Sequence, residues 1–158
     1  MKFDIDAAIV DLDGTMVDTL GDFAEALNRM LAELALPAIA ATAIEPMVGK
    51  GSEHLIRSVL AHVGAAPDRY DDAWASYQRH YAVVNGQFSK VFPGVPEGLR
   101  ALQARGLQLA CLTNKPTAFA RALLQHKGLD GFFSQVFGGD AFERKKPDPL
   151  PLIRTCEA

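Results

Sequence analysis

Two carboxylates, Asp11 and Asp13, lie at the end of a short apolar run over 7–13 and are the residues best suited to chemistry. On an extended backbone, residues two apart point to the same side. Ionised carboxylates about 4 Å apart repel each other by about 4 kcal/mol at an effective dielectric constant of 20. A hard cation relieves this repulsion, and Mg²⁺ takes one or two carboxylates together with phosphate oxygens. The pair therefore indicates metal-assisted chemistry at phosphorus, in which one carboxylate attacks and the other exchanges a proton.

Gly14 follows the two acids and allows the chain to turn closely around a phosphate group. Thr15, next in the chain, has a hydroxyl that can cap or orient this loop. A purely structural interpretation stays open, in which Asp13-Gly14 is an ordinary turn and Asp11 caps a helix.

A second polar segment, Thr113-Asn114, ends another apolar run, and a third, Gly138-Gly139-Asp140, ends a shorter one. A hydroxyl and a backbone N–H at such an edge are suitable donors to a phosphate oxygen. The alternative is that Thr113 caps the helix that follows. In an open parallel sheet, ligands bind beyond the carboxyl ends of the strands, so the three segments are predicted to converge.

The basic segment 144–149, Arg-Lys-Lys-Pro-Asp-Pro, is the remaining candidate. A solvated charged loop is the simpler interpretation of such a cluster. A lysine placed against a phosphate and a nucleophilic aspartate would keep the aspartate ionised and would neutralise charge that develops during transfer.

The elements that must position these residues alternate in type. Apolar runs at 7–13, 107–113 and 135–137 predict three buried strands, and helical spacing predicts helices between them. This order is typical of a parallel α/β sheet. Some 70 residues between the first strand and Phe92 carry only helical patterns. They include an aromatic face formed by Tyr70, Trp74, Tyr77 and Tyr81 that predicts core packing. That block is too long for one crossover, so we expect an inserted helical cap.

Composition excludes several classes of function. The chain of 158 residues is 49% hydrophobic, with a formal net charge of -3, which is unlike a nucleic-acid binder with a basic stripe. The most apolar stretch, 35–44, is too short to cross a bilayer, which needs about 20 residues. Cys111 and Cys156 make neither a disulfide framework nor a metal-ligand spacing, and Cys111 is predicted to be a core residue. The acidic N-terminus does not resemble a signal peptide, and we expect a cytoplasmic protein.

Taken together, these motifs resemble the haloacid dehalogenase-like hydrolase superfamily and its phosphoglycolate phosphatase branch. The motifs that carry the resemblance are Asp11-Leu12-Asp13-Gly14-Thr15, Leu112-Thr113-Asn114-Lys115, the stretch from Gly138 to Pro149, Val48-Gly49-Lys50-Gly51 and Phe92-Pro93-Gly94-Val95. The second aspartate separates phosphatases from true dehalogenases.

The resemblance implies a Rossmann-like α/β core over 1–15 and 91–158, of which three strands are expected in this chain, and a helical cap over 16–90. It implies that Asp11 is the nucleophile and that Asp13 is the general acid and then the base. Thr113 and Lys146 would hold the phosphoryl group, with Lys145 the second choice of lysine. Mg²⁺ would contact Asp11 and Asp13, the latter through its backbone carbonyl.

The same resemblance implies a substrate site on both parts of the chain. Gly14 and Asn114 would contribute from the core, and Gly49, Lys50 and Gly51 from the cap loop that closes over the substrate. His54, near that loop, is better interpreted as a surface residue. The expected partner is a small phosphorylated metabolite; neither nucleic acid nor membrane is expected, and the oligomeric state is open.

The family's fourth motif, an acidic strand end that completes the metal site, is expected after the lysine loop, but the chain ends at Ala158. We therefore expect an incomplete core that binds Mg²⁺ poorly and turns over slowly. The leading hypothesis is a phosphatase for 2-phosphoglycolate or a similar ester. The alternatives are a sugar-phosphate phosphatase or phosphoglucomutase of the same superfamily, and a non-catalytic remnant that binds phosphate or a partner.

Overall fold

The computed structural model describes residues 5–158. Strands alternate with helices along the chain, and three short 3₁₀ turns connect some of them. The strands are β1 (Ala7–Val10), β2 (Val17–Asp18), β3 (Lys90–Val91), β4 (Gln108–Leu112) and β5 (Gln135–Phe137). The helices are α1 (Leu20–Glu33), α2 (Ala41–Ile44), α3 (Ser52–His62), α4 (Tyr70–Val84), α5 (Val95–Ala104), α6 (Thr117–His126) and α7 (Leu150–Glu157).

Three strands form a parallel sheet in the order β1-β4-β5, which confirms the predicted α/β fold class. Val10 pairs with Cys111, and Leu112 pairs with Phe137. This register brings the carboxyl ends of the three strands to one edge. β1 is shorter than predicted, because the chain after Val10 bends into a loop instead of extending to Asp13.

The chain divides into two compact units, one made of the segment that ends at Asp18 together with Lys90–Ala158, the other of Thr19–Ser89. In the sheet-containing unit, β2 pairs antiparallel with β3, where the chain leaves the unit and returns to it. Met16 and Val17 are buried in this unit's core, although the sequence prediction began the helical block at residue 16.

The core of the sheet-containing unit forms where apolar side chains of β4, α5 and α6 meet the loop after β1. Cys111 is fully buried there, as predicted. Burial raises the pKa of the Cys111 thiol to about 12, and the negative charge of Asp11 adds to this effect. Cys156 is exposed, and both cysteines are free thiols.

The helical unit contains α1 to α4, and half of the predicted aromatic face is confirmed as core packing. Tyr70 and Trp74 are only half-buried and stack on each other, with ring centroids 6.1 Å apart. Tyr77 and Tyr81 are buried and stack with ring centroids 5.3 Å apart, and Phe23 stacks on Tyr81 at 5.5 Å. His54 is exposed on α3, as predicted. Within residues 5–158, no helix combines the length and the apolar character needed to cross a bilayer.

A buried carboxylate joins the two ends of the helical unit. Asp22, in the first turn of α1, is fully buried and accepts hydrogen bonds from the backbone N–H groups of Gly86 (2.8 Å) and Phe88 (2.7 Å). A buried carboxylate needs such donors because its desolvation is otherwise unfavourable. The segment that leaves α4 is therefore fixed against the start of α1.

The different environments of the two cysteines predict different reactivities. At pH 8 a thiol with a pKa of about 12 is ionised in only about one molecule in 10⁴, and the thiolate is the reactive form. We expect a chromogenic disulfide reagent to label Cys156 rapidly in the folded protein and Cys111 only after unfolding. Rapid labelling of both thiols in the folded, unmutated protein would contradict the buried environment of Cys111. Rapid labelling of the folded Cys156→Ser variant would contradict it as well.

Candidate active site

The loop after β1 is organised around the backbone carbonyl of Leu12. This oxygen accepts hydrogen bonds from the backbone N–H groups of Thr15, Met16 and Val17, at 3.3, 3.0 and 3.2 Å. Gly14 has a φ of +72°, a conformation that favours glycine. The Leu12 side chain is fully buried in the core, so the residues on either side of it, Asp11 and Asp13, are held at the sheet edge.

Each of the two carboxylates is paired with a lysine from another part of the chain. Asp11 Oδ1 lies 3.0 Å from Lys146 Nζ, and Asp13 Oδ1 lies 2.9 Å from Lys115 Nζ. The pairs differ in exposure: the Asp11 side chain is 42% exposed, whereas those of Asp13 and Lys115 are 10% and 2% exposed. The site thus has one accessible carboxylate and one enclosed carboxylate.

Lys146 is positioned by the end of β4. Its Nζ donates to the backbone carbonyl of Leu112 (2.7 Å), and its backbone exchanges two hydrogen bonds with the Asn114 side chain, N–H to Oδ1 at 3.0 Å and Nδ2 to carbonyl at 2.9 Å. The Asn114 amide therefore holds the lysine loop. Arg144 and Lys145 of the same loop are exposed, so the solvated-loop interpretation describes them and not Lys146.

The end of β5 packs directly on the segment after β4. A Cβ atom on Gly139 would lie 2.4 Å from the Asn114 carbonyl oxygen, and one on Gly138 would lie 2.3 Å from the backbone nitrogen of Thr117. Asp140 then accepts hydrogen bonds from the hydroxyl and N–H of Thr117, the first residue of α6. Burial acts to raise the pKa of Asp140, but these hydrogen bonds and the charge of Lys145 lower it on balance.

The predicted core residues Asp11, Asp13, Thr113, Asn114 and Lys146 thus meet at one edge of the sheet. The predicted cap residues Gly49, Lys50 and Gly51 lie in the helical unit just before α3, where Gly49 and Gly51 have positive φ angles.

Two structural alternatives for these residues are wrong. Asp11 caps no helix, because its Oδ1 accepts the N–H of Leu12 and the next helix begins at Leu20. Thr113, which is buried, does not cap α6: its hydroxyl oxygen accepts the N–H of Lys115 at 3.2 Å, and Asp140 binds the N–H of Thr117 instead.

Lys115 is the site residue that sequence reasoning missed. It appeared in the second motif without a role, although it lies two residues after Thr113, as Asp13 lies two residues after Asp11. This equal spacing at neighbouring strand ends was the available signal. It did not reveal that the side chain would be buried against Asp13, which depends on the register of β1 and β4.

The donor groups at this edge fit a hard divalent cation. Asp11 supplies an accessible carboxylate, and within residues 5–158 no cluster of three or more His, Cys, Asp or Glu side chains is arranged to hold a metal ion. Mg²⁺ is bound through one or two carboxylates and completes its coordination with water and phosphate oxygens. An accessible carboxylate at this edge therefore fits the way Mg²⁺ is held.

Comparison with known proteins identifies the family. A family model described as haloacid dehalogenase-like hydrolase matches residues 5–158, and the chain belongs to this family. A crystal structure of a predicted phosphoglycolate phosphatase from Haemophilus somnus superposes with a TM-score of 0.92 at 29% identity, covering 97% of this chain and 71% of that one.

Two curated relatives are also named phosphoglycolate phosphatase. A phosphoglycolate phosphatase of Cupriavidus necator is 46% identical over 152 residues, which cover 95% of this chain and 65% of that protein. One from Thiobacillus denitrificans is 42% identical over 156 residues, covering 97% and 69%. The chain thus spans about two-thirds of the length of these relatives. The predicted resemblance to the phosphoglycolate phosphatase branch is confirmed.

The close packing of Gly139 predicts a large steric effect of a single methyl group. Gly139→Ala places Cβ against the backbone of Asn114, which cannot move aside, so the free energy of unfolding should fall by about 3 kcal/mol. Gly131→Ala is the matched control, since nothing lies within 4 Å of its Cβ, and it should change stability by less than about 1 kcal/mol. Urea denaturation measures both. Equal stabilities of the two variants would show that the strand end is not packed this tightly.

Proposed function

We propose that the protein is a Mg²⁺-dependent phosphomonoesterase that forms an aspartyl-phosphate and acts on 2-phosphoglycolate. The observation that carries the proposal is the pairing of an accessible carboxylate, Asp11, with the ammonium group of Lys146 at 3.0 Å, beside an enclosed second carboxylate, Asp13. A lone ion pair at a surface would not need the second carboxylate or the hydrogen bonds that hold the lysine.

In the first step, a carboxylate oxygen of Asp11 attacks phosphorus and the bond from phosphorus to the ester oxygen breaks. Asp13 gives a proton to the departing oxygen, so that an alcohol leaves and an aspartyl-phosphate remains. Lys146 and the Thr113 hydroxyl hold the phosphoryl oxygens, and the Lys146 charge stabilises the negative charge in the transition state. The N–H of Asn114 and the open turn at Gly14 border the same group.

In the second step, Asp13 accepts a proton from water, and the resulting hydroxide attacks phosphorus. The bond between phosphorus and Asp11 breaks, which releases inorganic phosphate and restores the Asp11 carboxylate. The two carboxylates keep different tasks because their surroundings differ: Asp11 is accessible to a phosphate ester, whereas Asp13 is largely enclosed and held by Lys115.

Mg²⁺ would be held by the Asp11 carboxylate and the backbone carbonyl of Asp13, and when bound it supplies positive charge that offsets the repulsion between carboxylate and phosphate. The two lysines supply positive charge at the same edge from the protein itself. Lys146 would therefore neutralise part of the phosphoryl charge from the protein itself.

The helical unit would act as the cap, with Gly49, Lys50 and Gly51 contacting the part of the substrate away from phosphorus. The names of the relatives from Cupriavidus necator and Thiobacillus denitrificans support 2-phosphoglycolate as that substrate. Its carboxylate is a suitable partner for the exposed Lys50 ammonium group. The two free thiols fit a reducing compartment, and we place the protein in the cytoplasm.

Removal of the proposed nucleophile tests the reaction itself. Asp11→Asn should lower phosphate release from 2-phosphoglycolate by at least about 10³-fold, since an amide in place of the carboxylate cannot form the covalent intermediate. Phosphate release is measured over a panel of small esters with Mg²⁺ present. A preference for a sugar phosphate would contradict the substrate assignment, and hydrolysis that survives Asp11→Asn would contradict the mechanism.

The two neighbouring lysines of the 144–149 loop provide a matched pair of variants. Lys146→Met removes the charge beside Asp11 and should lower kcat by about 10²-fold or more. Lys145→Met removes an exposed charge that helps to lower the pKa of Asp140, and kcat should stay within about threefold of the original value. The assignment is wrong if the Lys145 variant is the more impaired of the two.

A further inference from the structure

Lys115 is the most deeply enclosed charged side chain at the sheet edge, and the sequence prediction gives it no task. Its side chain is 2% exposed, and its ammonium group donates to Asp13 Oδ1 at 2.9 Å, across 102 residues of sequence. Burial of a lysine carries a large desolvation cost, which a well-placed carboxylate partner offsets. The position of Lys115 is therefore closely tied to that of Asp13.

The backbone around Lys115 is fixed as firmly as its side chain. Its N–H donates to the Thr113 hydroxyl at 3.2 Å, and its carbonyl oxygen accepts the N–H of Gly139 at 2.9 Å. A Cβ atom on Gly138 would lie 2.5 Å from the same carbonyl oxygen, so β5 packs against this peptide without a side chain between them. Lys115 thus extends from a rigid support, and its ammonium group reaches Asp13 from a defined point.

Asp13 depends on this contact. Its carboxylate is 10% exposed, and its Oδ1 accepts a hydrogen bond from Lys115 Nζ. With one oxygen held, rotation of the carboxylate about its side-chain bonds is restricted, and the second oxygen remains to exchange a proton. Proton transfer requires heavy atoms within hydrogen-bond reach in a fixed direction, so an unrestrained carboxylate is a poorer acid and base.

We infer that Lys115 is a positioning residue that orients the Asp13 carboxylate for proton exchange with the leaving oxygen and with water. This inference rests on the proposed phosphomonoesterase reaction and assigns it a further residue. Lys115 does not touch the phosphoryl group in this scheme; it acts through Asp13. Lys115 and Lys146 therefore have separate tasks. Lys115 acts on Asp13, the proton donor, and Lys146 acts on Asp11, the nucleophile, and on the phosphoryl group.

The test uses the leaving group to separate proton transfer from other functions. An alkyl phosphate such as 2-phosphoglycolate needs a proton on its leaving oxygen, whereas p-nitrophenyl phosphate releases a stable nitrophenolate and needs almost none. In single-turnover experiments, Lys115→Met should slow phosphoenzyme formation from the alkyl ester by about 10²-fold and from the aryl ester by less than about fivefold. Asp13→Asn should show the same pattern with a larger alkyl-ester defect.

Leu123→Ala is the matched control for stability, because Leu123 is fully buried in the same core. It should affect both esters equally. A uniform loss in Lys115→Met, or no loss, would overturn the positioning role. If Lys115→Met does not fold, Lys115→Gln takes its place, because glutamine has a shorter side chain but keeps an N–H donor. It is judged by the same quantity, the ratio of the rate defect with the alkyl ester to that with the aryl ester.

The inference and the proposed function fail in different ways. Hydrolysis that persists in Asp11→Asn overturns both. Loss of hydrolysis in Asp11→Asn together with a uniform defect in Lys115→Met overturns only the role of Lys115. Thermal unfolding is a third readout, and it does not depend on turnover. If Asp13 and Lys115 are coupled, the double variant Asp13→Asn/Lys115→Met should unfold at a higher temperature than Lys115→Met alone. The reason is that the single variant leaves a buried carboxylate without its partner.

Discussion

The pairing of two carboxylates with two lysines at one edge of a three-stranded parallel sheet is the constraint on which the candidate site depends. Asp11 and Asp13 repel each other when ionised, and the contacts with Lys146 and Lys115 compensate for that repulsion within the protein. The pair of Asp11 and Lys146 is partly exposed and the pair of Asp13 and Lys115 is enclosed, so the two acids have different surroundings. An accessible carboxylate suits attack on a substrate, while an enclosed one suits proton exchange in a fixed direction.

The parallel register brings these four groups together from distant parts of the sequence. Because Val10 pairs with Cys111, and Leu112 with Phe137, the residues that follow β1, β4 and β5 emerge side by side. Asn114 then binds the backbone of Lys146, and Gly138 and Gly139 pack on the segment from Asn114 to Thr117. The lysine loop is thus supported by the strand ends rather than by contacts of its own.

Much of this arrangement was predictable because it follows from patterns along the chain. Alternating apolar runs and helical spacing predicted the three strands and the parallel α/β class. The strand-end rule predicted that the segments beginning at Asp11, Thr113 and Gly138 would converge, and the family resemblance added Lys146. Features set by contacts across the fold were not predictable. β1 ends at Val10 because the carbonyl of Leu12 accepts three turn hydrogen bonds. Lys115 was overlooked because only the register shows that its side chain meets Asp13.

The position of Leu12 between the two acids joins the packing of the protein to its chemistry. Its side chain fills the core while its carbonyl group organises the turn that presents both aspartates. A substitution that alters only the volume of this side chain would displace reactive groups without touching any of them. In a saturation mutagenesis experiment, position 12 should therefore behave like a residue of the catalytic centre, although no atom of its side chain faces a substrate.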